Sequence, residues 1–525
     1  MNVPRLPFLW DYLSHWAGQM PEEVALVYDG VSRTYNELFR SVDDMTRSLQ
    51  ALGVRKGDRI VTILPARPEF LVVFLAAARV GAVTLPMDVR YKSGDLERLL
   101  PQAAPRLIIA MAATPGNEDI AGQIKGLKCG IREPDCYFIG KTAFGRDYQE
   151  LATIAAQVEI KDIEPLSEDD PALIVFTGGS TGRPKAAVLS HRNVTQMAYF
   201  EEDFIRRELN RAGFEGRIST LAALPPSHVG GTVECMGMGL VGGHKLFFLD
   251  HWRPDTVFET TIRNKIPWVG AVPSMYAILL SYLADHPDPD PSGIYLAIFS
   301  GEPVTLEMLG SIRRSICPRV INGYGSTEAG AEVTFTTPED LPEALAAGYV
   351  GRPLPTVQIK IADEEGRELP AGKTGEILVK SDFTIAGYFN MPEEDNAGFT
   401  PDGFCRTGDL GYLTADGGLC LQGRKKQIIR VGGYTVLPVE VEESAMEFPG
   451  IAAAAAVGRP DPKYGEVVWL HVAPAEHVDL DAARLLAYLK TRLADYKVPR
   501  RIILREALPA THIGKVDRSA LIRDN

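Results

Sequence analysis

Apolar and polar residues alternate over the first 110 positions in a way that predicts strands and helices in turn. Short apolar runs typical of buried strands occur at 59–64, 82–85 and 106–110. The segments between them, 68–79 and 94–100, have the character of helices, and Ser93 is a candidate N-cap of the second. Alternating strands and helices predict an α/β fold with a doubly wound, mostly parallel sheet.

The pattern changes further along the chain. Residues 111–165 show no clear periodicity, so we expect an irregular segment before the alternation resumes at Ala172. Strand-like segments at 357–361 and 375–379, separated by Gly, Pro and Asp turns, predict a smaller β-rich subdomain. Beyond residue 427, short strands and helices accompany an Ala-rich run at 451–457 and form a piece that could fold alone. We expect a domain boundary within 423–427.

Composition limits the class of protein. A chain of 525 residues is too long for one core, so two or more domains are expected. The 45% apolar and 23% charged residues are ordinary for a soluble globular protein. The net charge of −13, without clustered basic residues, argues against nucleic acid as a partner.

Cysteines and apolar stretches bear on the cellular location. The six cysteines form no Cys-x-x-Cys pair, which favours free thiols in a reducing compartment and no zinc site. The most apolar stretch, 70–87, is interrupted by Arg79, Gly81 and Pro86 and is too short to span a bilayer. No signal-peptide core follows Met1. We expect a cytoplasmic protein without a transmembrane segment.

The most informative segment is residues 177–185, Thr-Gly-Gly-Ser-Thr-Gly-Arg-Pro-Lys, which follows a predicted strand at 172–176. Backbone N–H groups, hydroxyls and a lysine in one flexible loop can surround phosphate oxygens. The segment is not a Walker A motif, because Pro184-Lys185-Ala186 stands where that motif requires Gly-Lys-Ser/Thr. A surface loop rich in Gly and Ser is the alternative.

This loop resembles the phosphate loop of the adenylate-forming superfamily, which includes acyl-CoA and aryl-CoA synthetases, peptide-synthetase adenylation domains and luciferases. Ala186 departs from the Gly that often ends the family motif. The resemblance extends over nearly the whole chain and implies a large N-terminal domain (1–423), a hinge (424–426) and a small mobile α+β C-terminal domain (427–525). It assigns ATP phosphate binding to Thr177, Gly178, Gly179, Ser180, Thr181, Gly182 and Lys185.

A second segment with the chemistry of nucleotide binding is 322–328. A tyrosine face can stack on adenine, and an asparagine can pair with its amino group. A carboxylate can hold Mg²⁺, which prefers oxygen ligands. Here the resemblance assigns the α-phosphate to Thr327 and Mg²⁺ to Glu328, and places the loop at 301–303 against the adenine. The full predicted set is Gly301, Glu302, Pro303, Asn322, Gly323, Tyr324, Gly325, Ser326, Thr327 and Glu328.

Further matches lie near the predicted boundary and the end of the chain. The resemblance implies that Asp409 accepts both ribose hydroxyls and that Arg424 contacts ribose or phosphate. It makes Lys426 the pivot between domains, and makes Lys515 the bridge between carboxylate and phosphate during adenylation, although Ala510 replaces the family's usual Arg. The predicted pantetheine tunnel for CoA is lined by Gly432, Gly433 and Tyr434.

The acyl pocket is the least determined part of the prediction. His228 stands where the family has an aromatic residue or His, and could gate the carboxylate; a buried structural histidine is the alternative. The predicted lining is His228, Val229, Gly230, Val272, Gly325, Ala329 and Gly330. Many of these residues are small, which permits a long or bulky apolar acid, so we expect a fatty or an aromatic/alicyclic monocarboxylate.

The function implied by the resemblance is an AMP-forming acyl-CoA synthetase. A carboxylic acid reacts with ATP and Mg²⁺ to acyl-AMP and pyrophosphate, and CoA, as a substrate, then displaces AMP. Lys515, Glu328, Thr327 and His228 are the predicted catalytic residues. A stand-alone enzyme that loads a carrier-protein thiol in trans is the alternative, and dependence on CoA separates the two. Partners are small molecules, and the oligomeric state stays open, with a homodimer as one option.

The implied role of Lys515 predicts an asymmetric effect of the Lys515→Ala substitution. Adenylation should be abolished because its charge stabilisation is lost, while thioester formation from supplied acyl-AMP should be spared. Pyrophosphate release measures the first step, and acyl-CoA formation from synthetic acyl-AMP measures the second. Loss of both steps in a folded variant would contradict the assignment.

Overall fold

The structure is a computed structural model, and the chain divides into two compact units. Unit 1 comprises Met1–Ala346, Pro353–Gln358 and Val379–Cys405, and unit 2 comprises Ala347–Arg352, Ile359–Leu378 and Arg406–Asn525. The residues that the structure describes are 3–129, 133–160, 162–177, 184–302, 304–392, 397–427, 429–431, 434–461, 464–475, 478–493, 495–510 and 516–523. The boundary that the sequence places within 423–427, with its hinge, stays a prediction.

Helices and strands alternate over most of the described chain. The α-helices are α1 (Leu9–Gln19), α2 (Tyr35–Ala51), α3 (Pro68–Arg79), α4 (Ser93–Ala103), α5 (Ile120–Ile124), α6 (Glu150–Ala155), α7 (His191–Arg211), α8 (Met238–Val241), α9 (Pro254–Arg263), α10 (Pro273–Asp285), α11 (Leu306–Ser315), α12 (Pro342–Ala346), α13 (Pro438–Met446), α14 (Ala482–Arg492) and α15 (Arg518–Arg523). A π-helix, Gly230–Gly237, precedes α8, and 3₁₀ turns occur at Pro291–Gly293 and Lys425–Gln427.

The strands within the described residues belong to five sheets. They are β1 (Val24–Tyr28), β2 (Val31–Thr34), β3 (Arg59–Ile63), β4 (Val83–Pro86), β5 (Leu107–Met111), β6 (Asp135–Ile139), β7 (Arg146–Asp147), β8 (Pro171–Thr177), β9 (Lys185–Ser190), β10 (Ser219–Ala222), β11 (Lys245–Phe248), β12 (Trp268–Ala271), β13 (Leu296–Ser300), β14 (Val320–Ser326), β15 (Ala331–Phe335), β16 (Arg352–Pro353), β17 (Gln358–Ala362), β18 (Gly375–Lys380), β19 (Gly387–Tyr388), β20 (Cys405–Leu413), β21 (Leu419–Arg424), β22 (Ile429–Val431), β23 (Tyr434–Val436), β24 (Ile451–Asp461), β25 (Gly465–Pro474) and β26 (Arg501–Leu504).

The largest sheet of unit 1 has eight strands in the order β19-β9-β8-β4-β3-β5-β6-β7. Strands β8, β4, β3, β5 and β6 run parallel to one another. At one edge, β9 pairs antiparallel with β8, and β19 pairs antiparallel with β9. Helix α3 is buried along nearly its whole length, and it ends where Gly81 adopts a φ of +76°. The predicted α/β class with a doubly wound, mostly parallel sheet is confirmed. Parallel strands need crossover connections, and buried helices such as α3 provide them.

Two details of the sequence prediction are wrong. The segment 111–165, expected to be irregular, contains α5, β6, β7 and α6. Strand β6 has only five residues, and its pairing with β5, which no local periodicity encodes, stabilises it. Ser93 is not the N-cap of α4 but its first residue; Lys92 occupies the cap position, and its N–H donates to the Asp95 carboxylate over 3.4 Å.

A second sheet of unit 1 brings loop residues to one edge. Strands β12, β13 and β14 are parallel neighbours, and β14 continues into an antiparallel hairpin with β15. Carboxyl ends of parallel strands meet at the same edge of a sheet, and this is where ligands bind in open α/β folds. The segments after β12, β13 and β14 therefore lie together: Val272, Gly301-Glu302 and Thr327-Glu328.

Unit 2 contains two further sheets. Strands β17, β18, β20 and β21 form one, which confirms strands in the β-rich segment expected after residue 353. Strands β23, β22, β25 and β24 form the other, with β26 beside β25, and α13 and α14 bury apolar residues against it. The Ala-rich run 451–457 begins β24. None of the described helices is both long and apolar enough to cross a membrane.

The buried side chain of Leu470 in β25 should contribute strongly to the stability of the unit 2 core. Its side chain is 0% exposed, so Leu470→Ala should reduce the opening free energy of β24 and β25 by roughly 2–5 kcal/mol. Leu504→Ala on β26 is the matched control, since Leu504 is 43% exposed. Hydrogen-exchange mass spectrometry of the two strands makes the comparison. Equal effects of the two substitutions would contradict the assignment of Leu470 to the core.

Candidate active site

The two ends of the predicted phosphate loop lie side by side. Thr177 ends β8, Lys185 begins β9, and the two residues are cross-strand partners in the antiparallel ladder. Residues Gly178, Gly179, Ser180, Thr181 and Gly182 lie outside the described residues. The hairpin nevertheless places Thr177 and Lys185 opposite each other at one end of the sheet.

Glu328 connects this hairpin with the end of β14. The Thr177 hydroxyl donates a hydrogen bond to Glu328 Oε1 over 3.0 Å, and the Tyr388 hydroxyl donates to the same oxygen over 3.2 Å. The Lys185 ammonium lies 4.7 Å from the centroid of the Tyr388 ring, within cation–π range. The structure thus brings together Thr177, Lys185 and Glu328, which are separated by up to 151 positions.

Tyr388 is a site residue that the sequence reasoning missed. Strand β19, to which it belongs, pairs with β9 so that Tyr388 is the partner of Ala187. This two-residue strand comes long after the phosphate loop in the chain, and its local pattern does not mark it as part of a site. Only the pairing of β9 with β19 reveals that Tyr388 belongs to the site.

The residues present fit a magnesium ion carried by a nucleotide. Mg²⁺ at such sites takes one or two carboxylates, with phosphate oxygens and waters completing its octahedron. Glu328 offers one carboxylate whose described donors both reach Oε1. Within the described ranges, no three His, Cys, Asp or Glu side chains are grouped to hold a metal ion, so a closed protein metal site does not exist there.

The predicted adenine-binding segments are adjacent. Strands β13 and β14 pair so that Ser300 is opposite Gly323 and Phe299 is opposite Asn322. Tyr324 and Asn322 are each only 7% exposed. The Glu302 carboxylate accepts hydrogen bonds from the Ser274 N–H and hydroxyl, over 2.9 and 3.1 Å, at the N-terminus of α10. Pro303 lies outside the described residues.

The turn after β14 is held by its own hydrogen bonds. The Ala329 N–H donates to the Ser326 hydroxyl over 3.1 Å, and the Gly330 N–H donates to the Thr327 carbonyl over 3.1 Å. A Cβ on Gly325 would lie 1.7 Å from the Ala331 carbonyl oxygen. Gly330, with φ of +102°, would place one 2.0 Å from the Phe383 carbonyl oxygen. Close backbone packing therefore requires these two glycines, whatever substrate they face.

His228 and Gly230 lie where the chain enters the π-helix, a rare element that is common at functional sites. Gly231 follows; a Cβ there would lie 2.2 Å from the Pro225 carbonyl oxygen, so the entry is tightly packed. Val229 and Val272 are partly exposed, as are His228 and Gly230. Ala329, in contrast, is buried. The predicted acyl-pocket residues thus come from three described segments of unit 1.

A buried carboxylate that the sequence analysis missed lies near His228. Asp88 is 4% exposed and accepts two hydrogen bonds from the Arg90 guanidinium, over 2.8 and 2.5 Å. Burial raises the pKa of Asp88, but the Arg90 hydrogen bonds and charge, with a smaller effect of His228, outweigh it, so the pKa lies below its ordinary value. Asp88 is thus a buried carboxylate whose charged form Arg90 stabilises.

In unit 2, the two residues predicted to bind the ribose form an ion pair with each other. Asp409 of β20 and Arg424 of β21 are cross-strand partners, and Arg424 Nε lies 2.8 Å from Asp409 Oδ1. Asp409 is 5% exposed, and its N–H donates to the Thr407 hydroxyl over 3.0 Å. These contacts with neighbouring groups of unit 2 orient both side chains.

Several predicted residues cannot be placed. Gly432, Gly433 and Lys515 lie outside the described residues, and for Lys426 and Tyr434 the description covers the backbone alone. Their predicted roles in the hinge, the CoA tunnel and adenylation stay predictions.

Comparison with known proteins defines the family. The AMP-binding enzyme family matches residues 13–389, and the AMP-binding enzyme C-terminal domain matches residues 440–515. A feruloyl-CoA synthase of an Amycolatopsis species is 30% identical over 518 residues, 95% of each chain. The 2-hydroxy-7-methoxy-5-methyl-1-naphthoate–CoA ligase of Streptomyces carzinostaticus is 28% identical over 98% of this chain and 92% of its own.

Solved structures agree with these sequence matches. The crystal structure of ATP-bound MatB from Rhodopseudomonas palustris has a TM-score of 0.84 and 27% identity, covering 97% of this chain and 98% of that chain. The chain therefore belongs to the AMP-binding enzyme family. It is an AMP-forming acid–thiol ligase that uses ATP with Mg²⁺ and takes CoA as a substrate.

Loss of the hydrogen bond between Tyr388 and Glu328 should impair the use of ATP. Tyr388→Phe removes one donor from the carboxylate but keeps the ring beneath Lys185, so kcat/KM for ATP should fall about 10-fold, or about 1.4 kcal/mol. Tyr282→Phe is the control, because Tyr282 instead stacks on His286 in α10. Steady-state AMP release measures both variants. An unchanged kcat/KM in Tyr388→Phe would show that the hydrogen bond does not support the reaction.

Proposed function

We propose that this enzyme activates an aromatic carboxylic acid and transfers the aroyl or arylacryloyl group to CoA. The observation that carries this proposal is the Glu328 carboxylate, held by Thr177 and Tyr388 beside Lys185 at the end of the β8–β9 hairpin. The arrangement suits a nucleotide's phosphates and their metal ion. The aromatic class is supported by two relatives whose names specify ferulate and a naphthoate.

In the first half-reaction, a carboxylate oxygen of the acid attacks the α-phosphorus of ATP, and the bond to pyrophosphate breaks. Such a displacement depends on placement and charge neutralisation more than on proton transfer. Lys185 supplies positive charge, the Thr327 hydroxyl binds an α-phosphate oxygen, and Glu328 holds Mg²⁺. Magnesium, when bound, neutralises phosphate charge. The predicted part of Lys515 in this step stays with the sequence argument.

In the second half-reaction, the CoA thiolate attacks the acyl carbon and AMP leaves. His228 is proposed to border the reacting carboxyl group. The Asp88 carboxylate, whose pKa the Arg90 guanidinium lowers, adds a buried negative charge whose field reaches His228. The lining residues Val229, Gly230, Val272 and Ala329 would contact the acyl group.

Two further points complete the proposal. A cytoplasmic location is supported by the six cysteines, all free and buried, as expected for a reducing compartment. The relatives named as a CoA synthase and a CoA ligase agree with CoA as the acceptor of the acyl group.

AMP release from ATP, Mg²⁺ and CoA across an acid panel tests the function. Benzoates, cinnamates and naphthoates should give CoA-dependent AMP and acyl-CoA, whereas acetate and long fatty acids should give little. Glu328→Gln should reduce the rate roughly 100-fold, the scale of losing one electrostatic stabiliser of a transition state. Turnover of fatty acids alone would overturn the aromatic class. Adenylation without any CoA dependence would favour the carrier-protein alternative.

A further inference from the structure

A buried histidine joins helix α7 to strand β10 through both of its ring nitrogens. His244 Nδ1 lies 2.9 Å from the Thr220 hydroxyl of β10, and His244 Nε2 lies 3.3 Å from Glu202 Oε1 of α7. The three residues are between 0 and 2% exposed. Glu202 also accepts a hydrogen bond from the Arg206 guanidinium over 2.6 Å, so its buried charge is compensated.

The same network reaches a tryptophan of strand β12. Trp268 Nε1 donates to the Thr220 hydroxyl oxygen over 3.4 Å. Because an indole N–H can only donate, the Thr220 hydroxyl donates in turn to His244 Nδ1, and the imidazole N–H then lies on Nε2, facing Glu202. Burial lowers the pKa of His244 although Glu202 acts in the opposite direction, which agrees with this neutral imidazole. A buried network in which every member has a partner holds its side chains in one arrangement.

Trp268 begins a row of residues that share one face of β12. Alternate residues of an extended chain project to the same face, which groups Trp268 and Gly270 with Val272, a predicted acyl-pocket residue just beyond the strand. A Cβ on Gly270 would lie 2.9 Å from Trp268 Cζ3, so the indole occupies the space that a side chain at Gly270 would need. The ring therefore extends along the strand in the direction of Val272.

The indole is also part of the wall of a small cavity among β10, the π-helix, α9 and β12. The cavity has a volume of about 10 Å³, the size of one water molecule, and its side chains are mainly apolar. A Cβ on Gly230, another predicted acyl-pocket residue, would lie 3.5 Å from Leu224 Cδ1, which lines the cavity. The cavity thus borders the predicted acyl pocket through Leu224 and through Gly270.

We propose that Trp268 limits the length of the acyl group, and that Thr220 and His244 are positioning residues that hold its indole across the far end of the acyl pocket. The preferred substrates are then acids whose substituent opposite the carboxylate is absent or about the size of a methyl group. This inference rests on the proposed function for the location of the pocket. Discrimination arises because a longer acid must displace a buried ring and break its hydrogen bond to Thr220.

The first test compares 4-methylbenzoate with 4-butylbenzoate, and 4-methylcinnamate with 4-butylcinnamate, as substrates of the wild-type enzyme. In the series that the enzyme uses better, kcat/KM for the methyl acid should exceed that for the butyl acid about 10-fold or more. Equal use of the two acids, or preference for the butyl acid, overturns the inference and leaves the proposed function intact.

Substitution of the tryptophan locates this limit. Trp268→Leu should reduce the methyl-to-butyl ratio of kcat/KM about 10-fold, because the shorter side chain leaves room for the butyl group. Trp10→Leu is the matched control and should leave the ratio unchanged, since Trp10 stacks on Phe8 instead. Melting temperatures establish that both variants fold. An unchanged ratio in folded Trp268→Leu overturns the inference.

The positioning role has its own set of variants, which also serve if Trp268→Leu does not fold. Thr220→Val keeps the side-chain shape but removes the acceptor of the indole N–H, so the methyl-to-butyl ratio should fall about 3-fold. Thr220→Ser keeps the hydroxyl and should keep the wild-type ratio. Thr261→Val is the control, because Thr261 is 1% exposed and its hydroxyl has no hydrogen-bond partner within the described ranges. Equal ratios in Thr220→Val and Thr220→Ser overturn the positioning role.

Straight-chain acids separate failure of the inference from failure of the proposed function. Across butanoate to dodecanoate, the chain length that raises the melting temperature most should be greater for Trp268→Leu than for the wild type, a readout that needs no turnover. If no aromatic acid is activated but this shift occurs, the proposed function fails and the length limit stands; without the shift, both fail. If aromatic acids are activated and neither measurement distinguishes Trp268→Leu from the wild type, the length limit fails and the function stands.

Discussion

The hydrogen bonds on the Glu328 carboxylate are the contacts on which the site depends. They join the end of β8, the turn after β14 and the short strand β19, three segments from different parts of the chain. Because Thr177 and Tyr388 both donate to one oxygen, protein contacts define the orientation of the carboxylate. An enzyme that gains rate mainly from charge placement benefits from groups that need no rearrangement when the reaction occurs.

Backbone packing around this carboxylate explains why the nearby sequence is rich in glycine. Gly325 and Gly330 are required because carbonyl groups of Ala331 and Phe383 occupy the space that a side chain would need. Ala331 itself has a positive φ, a strain that persists only where neighbouring structure enforces it. Thr327 and Glu328 therefore lie in the turn between β14 and β15, and Glu332 lies in β15.

Charge is distributed unevenly among the buried acidic groups of unit 1. Asp88, Glu202 and Glu208 each have a cationic partner, so their charges are compensated within the protein. Glu201 is also buried, and its burial, followed by the charges of Glu234 and Glu332, raises its pKa well above the ordinary value.

The sequence by itself determined the fold class, the family resemblance and the residues that carry the motifs. Strands at β3 and β8, helix α3 and the segments containing Thr177, Glu328 and Asp409 follow from local apolar patterns and short motifs, which are properties of neighbouring residues. The tertiary structure alone decided the position of Tyr388 beside Glu328 and the approach of Glu201 to Glu234 and Glu332. The physical reason is that hydrogen bonds and Coulomb forces depend on distances in space, and strand pairing and helix packing set those distances between residues remote in the chain.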